Sequence, residues 1–243
     1  MHDRAAYTLD HETPHVHRDM RSGGLRAAVF GISDGLVSNV SLVLGIAGAN
    51  PGPGVVRLAG LAGLLGGSFS MAAGEYVSMR AQREAFEREL EVERVELEAH
   101  PHAEQRELEQ IYVRRGMTPA IAEQAAGEMM ANPETALSTH AREELGLDPQ
   151  NLGSPVQAAL ASFGTFALGA LLPLLPYLTG ASGNGALFAA IVLTALGALG
   201  TGTVLSFVTQ RGRFRSAMRS LLICAVAGAA TYGIGAAIGV STH

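Results

Sequence analysis

Two acidic side chains lie within long apolar stretches of this sequence, each on a repeating polar stripe. Asp34 and Ser38 are four residues apart in the first stretch, and Met71 and Glu75 have the same spacing in the second. Residues four apart lie on one helix face, so each pair marks a stripe. An ionisable group in a membrane span is costly and is by default a candidate for function. Because carboxylates suit hard divalent ions and thioethers suit softer ones, the mixture favours a path for a transition metal.

Glycines occupy the same two stripes and leave a structural interpretation open. Gly31 precedes Asp34, and Gly63 and Gly67 precede Met71, at three- and four-residue steps. Small residues let membrane helices pack closely. In this interpretation Asp34 is a buried hydrogen-bonding group and Met71 is apolar filler. The functional interpretation adds that a desolvated carboxylate binds either a proton or a metal, since desolvation raises its proton affinity. Exchange of metal for protons is therefore physically reasonable.

A second set of carboxylates lies in an acidic segment between the apolar stretches. Glu93 and Glu96 are three residues apart, and Glu104 and Glu107 repeat that spacing after Pro101. Since residues three apart share a helix face, a tight turn at the proline would bring both pairs together around one or more cations. The alternative is an acidic helix surface that is only solvated, with interspersed arginines pairing several of its glutamates.

Histidines are further candidate ligands. His100, His102 and His140 lie near enough in sequence to join the four glutamates. The N-terminal segment contains four more histidines, at positions 2, 11, 15 and 17. Such a segment could bind metal, although histidine-bearing tails are common and weakly selective.

The elements that must position these residues are apolar stretches, each long enough to cross about 30 Å of hydrocarbon as a helix. Hydrophobic residues make up 48% of the chain and charged residues 16%, against about 25% charged residues in a soluble domain. The predicted spans are residues 25–49, 58–79, 156–178, 186–208 and 217–240. We therefore predict an all-α, polytopic membrane protein with five transmembrane helices and a helical metal-binding insert between the second and third.

Composition and punctuation divide the chain into four parts. They are the histidine-bearing tail (1–24), the first two spans (25–80), the acidic insert (81–154) and the last three spans (155–240). Within the insert, Pro101 stops the helix that continues from the second span, and Pro119 and Pro133 follow the candidate N-caps Thr118 and Asn132. Gly116 and Gly146 mark helix ends. The insert is thus predicted to consist of short helices after a continuation of the second span.

The arginines predict how the chain lies across the membrane. They cluster before the first span, after the second and between the last two, whereas the opposite loops hold only Arg57. By the positive-inside rule, the N-terminus and the insert are cytoplasmic and the C-terminus lies outside. The formal net charge of -5 argues against a nucleic-acid partner.

The sequence patterns do not indicate catalysis. The chain has no glycine-rich phosphate loop and no Ser/His/Asp or Cys/His arrangement that stands out for nucleophilic chemistry. Glu12 and His15 have the spacing of ligands in di-iron helical bundles, but Pro14 interrupts them. We therefore predict that the protein is not an enzyme and holds no prosthetic group.

Four segments of the chain resemble the vacuolar iron transporter family. Residues 25–45, LRAAVFGISDGLVSNVSLVLG, resemble its opening span, and residues 70–78, SMAAGEYVS, resemble the end of its second span. The shorter runs ELEQIY at residues 107–112 and ELGL at residues 144–147 resemble its cytoplasmic region. This likeness extends from about residue 25 to about residue 240.

The resemblance implies a homodimer of five-span subunits, with the translocation path between the two first spans. It also implies proton-coupled export of Fe(II), sometimes Mn(II), from the cytoplasm. Asp34 and Met71 match the family's pore carboxylate and methionine. The residues that match the glutamates of its cytoplasmic metal-binding helices are Glu93, Glu96, Glu104 and Glu107.

One part of the family's metal site differs in this chain. Eukaryotic members have a methionine and further glutamates just before the ELGL stretch, where this chain reads THAREE over residues 139–144. His140 is the candidate substitute for that methionine. Either Glu143 or Glu144 is the candidate for the additional carboxylate.

The combined hypothesis is a proton-coupled exporter of Fe(II) or Mn(II). The acidic helices capture the ion and pass it to a path lined by Asp34, Ser38 and Met71, with Glu75 at the entrance. As a bacterial member of the family, the protein is expected in the plasma membrane, with lipid, divalent metal ions, protons and a second copy as partners. The rival hypothesis is a non-transporting membrane sensor or scaffold that binds metal through the acidic helices. An acid in mid-span argues against a simple anchor.

Overall fold

The chain folds into helices alone over the part that the structure describes. The computed structural model describes residues 23–146, 148–149, 152–209 and 212–241, and no strand occurs among them. The helices are α1 (Gly23–Gly48), α2 (Pro53–Ala99), α3 (Pro101–Arg114), α4 (Pro119–Met130), α5 (Pro133–Glu143), α6 (Pro155–Leu178), α7 (Gly183–Thr209) and α8 (Arg213–Ser241). The four N-terminal histidines lie outside the described residues.

Five of these helices, α1, α2, α6, α7 and α8, are long and apolar enough to cross a membrane. The prediction of an all-α chain with five helices long enough to span a membrane is therefore confirmed. The largest difference from the predicted span limits is at α2, which begins at Pro53 rather than at residue 58. Proline suits the first turn of a helix because its missing N–H would have no partner there, so α2 extends back to this residue.

Helix α2 continues without a break from the second span into the insert. It contains 47 residues, so it is about 70 Å long, roughly twice the thickness of the hydrocarbon core. The predicted boundary between residues 80 and 81 therefore marks a change of composition within one helix. Met71 and Glu93 lie on the same rod, about 33 Å apart along its axis.

Helix α1 lies at the centre of the spans and packs most closely against α6. Its buried face includes Leu36, Val40 and Val43, each at most 2% exposed. A Cβ on Gly35 would overlap the carbonyl oxygen of Phe166 in α6, and a Cβ on Gly169 in α6 would overlap a carbonyl of α1. These two glycines thus let the helix backbones touch, as small residues do between membrane helices.

The glycines of the first stripe also pack against neighbouring helices. A Cβ on Gly31 would overlap the hydroxyl of Thr165 in α6, and one on Gly45 would press on Thr231 in α8. The structural interpretation of these glycines is therefore correct. This interpretation does not extend to Asp34 and Ser38, because these two side chains line a cavity.

Prolines begin the three short helices of the insert; the sequence predicts this for α4 and α5, whereas at Pro101 it predicts the end of the preceding helix. Pro101 follows His100, which ends α2 and precedes α3, so the chain turns sharply there. Asn132 caps α5 by accepting hydrogen bonds from the N–H groups of its first turn. Thr118 occupies the corresponding position before α4, but its side chain makes no capping hydrogen bond. Gly116, after α3, has a φ of 100°, a conformation that glycine adopts at little cost.

Helices α3 and α4 share a small apolar core that holds the insert together. Leu108 and Tyr112 of α3 pack on Ala122 and Ala126 of α4. Leu108 and both alanines are fully buried. Helix α5 packs against α2 and closes the third side. The acidic residues of α2 and α3 therefore meet the C-terminal end of α5.

Candidate functional site

Three buried ionisable side chains meet where α2, α3 and α5 converge. Glu93 of α2 is 5% exposed, Glu104 of α3 is 8% exposed and His140 of α5 is fully buried. The Nδ1 atom of His140 lies 3.2 Å from Oε1 of Glu93 and 3.9 Å from Oε2 of Glu104. One ligand atom from each residue lies within 4.8 Å of the others, a spacing that suits a shared cation.

A second group of carboxylates continues from this one through Glu104. Glu104, Glu107 and Glu144 each offer an oxygen within 4.8 Å of the other two. Glu144 also connects both groups, because its Oε1 lies 2.8 Å from Nδ1 of His140. We call the five residues Glu93, Glu104, Glu107, His140 and Glu144 the insert cluster.

The two remaining candidates of the insert have different surroundings. Glu96 is exposed and belongs to neither group, although its charge helps to raise the pKa of Glu93 and that of Glu104. Glu143 forms an ion pair with Arg115 at the end of α3. The structure thus brings Glu144, and not Glu143, to the carboxylates of α2 and α3.

Burial and mutual repulsion make the insert cluster a strong acceptor of positive charge. Burial, followed by the charge of Glu144, raises the pKa of Glu93 to about 7. Burial also raises the pKa of Glu104 above its ordinary range, with Glu107 and Glu144 adding to the effect. A carboxyl group in this situation gains from either a proton or a metal ion, because both relieve the repulsion.

The donor atoms of the insert cluster suit a divalent cation. Oε1 of Glu93 and Nε2 of His140 are buried and lack a hydrogen-bond partner within the described residues. Carboxylates accept only, so the proton in the short contact between His140 and Glu144 lies on Nδ1 when Glu144 is ionised. A cation would replace that proton. Mixed carboxylate and imidazole ligands suit divalent metals such as Fe(II) and Mn(II).

The other acidic stripe on α2 is a solvated surface, as the alternative interpretation of the sequence holds. Its glutamates form ion pairs with neighbouring arginines: Arg80 with Glu84, Arg83 with Glu87 and Arg94 with Glu91. His100 and His102 are exposed and belong to neither group of candidate ligands. Only one face of α2 thus contributes to the insert cluster.

A polar cavity lies between α1, α2 and α6, within the apolar spans. It has a volume of about 420 Å³ and is lined by Asp34, Ser38 and Met71, three of the predicted path residues. Ser38 donates a hydrogen bond of 3.1 Å to Oδ1 of Asp34, so the hydroxyl orients the carboxylate. We call this cavity the span pocket.

Glu75 does not line the span pocket. It lies four residues beyond Met71 on α2, about one turn closer to the insert. Glu75 therefore lies on the side of the span pocket where the sequence predicts the entrance.

Several lining residues were not among the candidates from the sequence. Phe166 of α6 forms one wall, and Ser70 and Asn39 contribute polar groups. Asn39 lies outside the four-residue pattern of the first stripe, so periodicity alone did not identify it. A buried amide in an apolar span, however, is a signal of the same kind as the acid.

Comparisons with known proteins agree over most of the chain. The VIT family model matches residues 25–236. Vacuolar iron transporter 1 of Oryza sativa subsp. japonica is 31% identical over 237 residues, which cover 97% of this chain and 93% of that protein. Vacuolar iron transporter 1 of Arabidopsis thaliana is 29% identical over 225 residues, 92% of this chain and 89% of that protein. A Vacuolar iron transporter of Acanthamoeba castellanii is 41% identical over 145 residues, 60% of this chain and 52% of that protein.

Proposed function

The chain belongs to the VIT family, and on this premise we propose that it transports a divalent transition metal, Fe(II) or Mn(II), across a membrane. The relatives are named vacuolar iron transporters, which supports iron as the cargo. The observation that carries the proposal is the span pocket, where Asp34 and Met71 face one cavity inside the apolar spans. An acid within apolar spans is costly, and a cation that visits it offsets this cost.

Capture of the metal takes place at the insert cluster. Glu93, Glu104 and His140 each offer a ligand atom within 4.8 Å of the others, and Glu104, Glu107 and Glu144 do the same. The ion replaces the proton between His140 and Glu144 and neutralises the repulsion among the glutamates. Glu96 adds negative charge at the edge of the cluster and attracts the ion.

Transfer to the membrane path follows the long helix α2. This helix carries Glu93 near one end and Met71 in the span, with Glu75 between them on the side of the insert. Glu75 serves as the entrance, and Asp34, Ser38 and Met71 bind the ion inside. Oxygen ligands from Asp34 and a thioether from Met71 suit Fe(II) and Mn(II) better than Mg(II) or Ca(II).

Protons move in the opposite direction to the metal. In this proposal Asp34 is the group that exchanges the metal ion for a proton, because it is the carboxylate that lines the span pocket. The arginine distribution supports a cytoplasmic N-terminus and insert and an outside C-terminus. Capture at a cytoplasmic insert gives export as the direction, from the insert toward the opposite face, and the membrane that this proposal assigns is the plasma membrane.

A second copy of the chain completes the path. Ser38 is exposed in the single chain although it lies in mid-span. A hydroxyl facing lipid gains nothing, whereas one facing a partner helix lines a shared path. The proposed homodimer places the two α1 helices next to each other and encloses the span pocket.

Purified protein in sealed vesicles tests transport directly. Fe(II), kept reduced, or Mn(II) is added outside under an imposed pH gradient, with a metal indicator and a pH indicator trapped inside. Metal entry coupled to a change of internal pH is the expected result. Metal binding to the purified protein without any flux would favour the rival function, a sensor or scaffold that uses the insert cluster alone. Flux without a pH change would contradict the proton coupling.

A further inference from the structure

The amide of Asn39 is fixed in one orientation inside the spans. The side chain is 1% exposed and lies on α1 next to Ser38. Its Nδ2 donates a hydrogen bond of 2.5 Å to the carbonyl oxygen of Ala170 in α6. A carbonyl oxygen only accepts, so the nitrogen must face α6 and the oxygen must face away from it.

The oxygen of this amide is buried between α1 and α2 beside the span pocket. Oδ1 of Asn39 is buried, and no described residue forms a hydrogen bond with it. It points toward α2, since a Cβ on Gly63 would lie 2.9 Å from it. Asn39 lines the same cavity as Asp34 and Met71. Contact between α1 and α6 needs only the nitrogen, so helix packing does not explain the unpaired oxygen, which is costly to bury.

We propose that Oδ1 of Asn39 binds the divalent cation while the ion passes Asp34 and Met71. This inference rests on the proposed transport function and adds a ligand to it. An amide oxygen is a hard, neutral donor that does not titrate, so it remains available when Asp34 is protonated. Gly63 lets α2 approach this oxygen closely, because a Cβ at that position would lie 2.9 Å from it.

The expected consequence of this ligand is selectivity among metals. Mn(II) prefers oxygen ligands, whereas Cd(II) is softer and gains more from the thioether of Met71. Removing the amide oxygen should therefore harm Mn(II) transport more than Cd(II) transport. A residue that only held α1 against α6 would affect both ions equally.

Separate influx measurements with Mn(II) and Cd(II) test this selectivity in vesicles that contain the full chain. Asn39→Leu keeps a similar side-chain volume and removes the oxygen. Mn(II) flux should fall at least about tenfold while Cd(II) flux changes by less than about threefold, since one charge-assisted contact is worth roughly a factor of ten. Continued Cd(II) flux demonstrates that the variant is folded and the path is open.

Two further variants separate the ligand from a packing role. Asn39→Asp retains a side-chain oxygen, but an ionised carboxylate cannot donate a hydrogen bond to the carbonyl of Ala170. The ratio of Mn(II) to Cd(II) flux in this variant should stay near that of the unsubstituted chain. Ser68→Ala removes a buried hydroxyl that bonds only to the carbonyl of Leu64, and it should not change the ratio.

Three results would overturn the inference. The first is an equal loss of Mn(II) and Cd(II) flux in Asn39→Leu, and the second is no loss of Mn(II) flux in that variant. The third is a loss of Mn(II) flux relative to Cd(II) flux in Asn39→Asp that is as large as in Asn39→Leu. Absence of any metal flux in the unsubstituted chain would instead overturn the proposed function itself.

Discussion

Two adjacent glutamates at the end of α5 have different partners. Glu144 contacts His140 inside the insert cluster, whereas Glu143 forms an ion pair with Arg115. Glu144→Gln should therefore weaken Mn(II) binding by at least about tenfold, a loss typical of metal sites that lose a supporting group. Calorimetric titration of the purified protein with Mn(II) measures this change.

Glu143→Gln is the matched control for that prediction. It removes the same charge one residue away, and Mn(II) affinity should change by less than about threefold, since its partner is an arginine on the rim. A larger loss in Glu143→Gln than in Glu144→Gln would show that the two glutamates have exchanged roles.

Proton competition should make metal binding at the insert cluster depend on pH. The pKa of Glu93 is raised to about 7 by burial, so this group is protonated in the acid range and ionised above it. Metal must displace a proton below the pKa but not above it, so affinity should increase from about pH 6 to about pH 8. Glu93→Gln should bind more weakly and with a flatter pH profile.

Glu98→Gln provides the comparison for the pH profile. Glu98 is an exposed glutamate on the same helix and belongs to neither group of candidate ligands. Its replacement should leave the slope unchanged. An unsubstituted protein whose Mn(II) affinity does not vary over this range would contradict the assignment of Glu93 as a ligand.

At the scale of residues, the sequence indicated which groups could meet but not how they are oriented. The approach of Glu93 to the glutamates of α3 was predictable because helix spacing and the turn at Pro101 are local properties, whereas Glu96 belongs to neither group. The choice between Glu143 and Glu144 depends on Arg115, which belongs to another helix. The orientation of Asn39 likewise depends on Ala170 in α6. Such contacts across helices leave no periodic trace in the sequence.

Close contact between α1 and α6 is the structural basis of the span pocket. A Cβ on Gly169 of α6 would overlap the carbonyl of Ile32 in α1. Gly169→Ala should therefore lower the free energy of unfolding by about 1–3 kcal/mol, the usual cost of overpacking a close contact. Unfolding of the detergent-solubilised protein, followed by circular dichroism, measures this loss.

Gly164→Ala on the same helix is the control for that substitution. A Cβ at Gly164 would meet nothing within 4 Å. Alanine also favours a helix over glycine by up to about 1 kcal/mol, so this variant should be neutral or slightly more stable. Equal destabilisation by both substitutions would contradict a specific contact between α1 and α6.

The residues at which the helices begin and end were easier to predict than which helices pack against each other. Proline and apolar length determine where a helix begins and how far it extends, and both are visible in the sequence. Phe166 as a wall of the span pocket was not predicted, since the stripes on α1 and α2 suggested that these helices face only each other. Each helix has several faces, and the choice of neighbour depends on how all the spans pack together.

The orientation of the whole molecule is a prediction from its arginines that labelling in intact cells can test. Cys224, the single cysteine of the chain, is first replaced by alanine. In that background Ala181→Cys places a thiol between α6 and α7, and Glu123→Cys places one in the insert. A membrane-impermeant maleimide should label the first in intact cells and the second only after permeabilisation. The reverse pattern would invert the predicted topology and, with it, the direction of transport.

Transport through the span pocket is the central claim, and the flux of Asp34→Asn tests it most directly. This variant keeps the shape of the side chain and removes its charge, while Ser41→Ala on the same helix removes a hydroxyl that bonds only to the carbonyl of Val37. In sealed vesicles Fe(II) flux should fall by at least about tenfold in Asp34→Asn, because a charge-assisted contact is worth roughly 1.5–3 kcal/mol. Binding at the insert cluster and flux in Ser41→Ala should both be preserved. Undiminished Fe(II) flux in Asp34→Asn would contradict the proposed path.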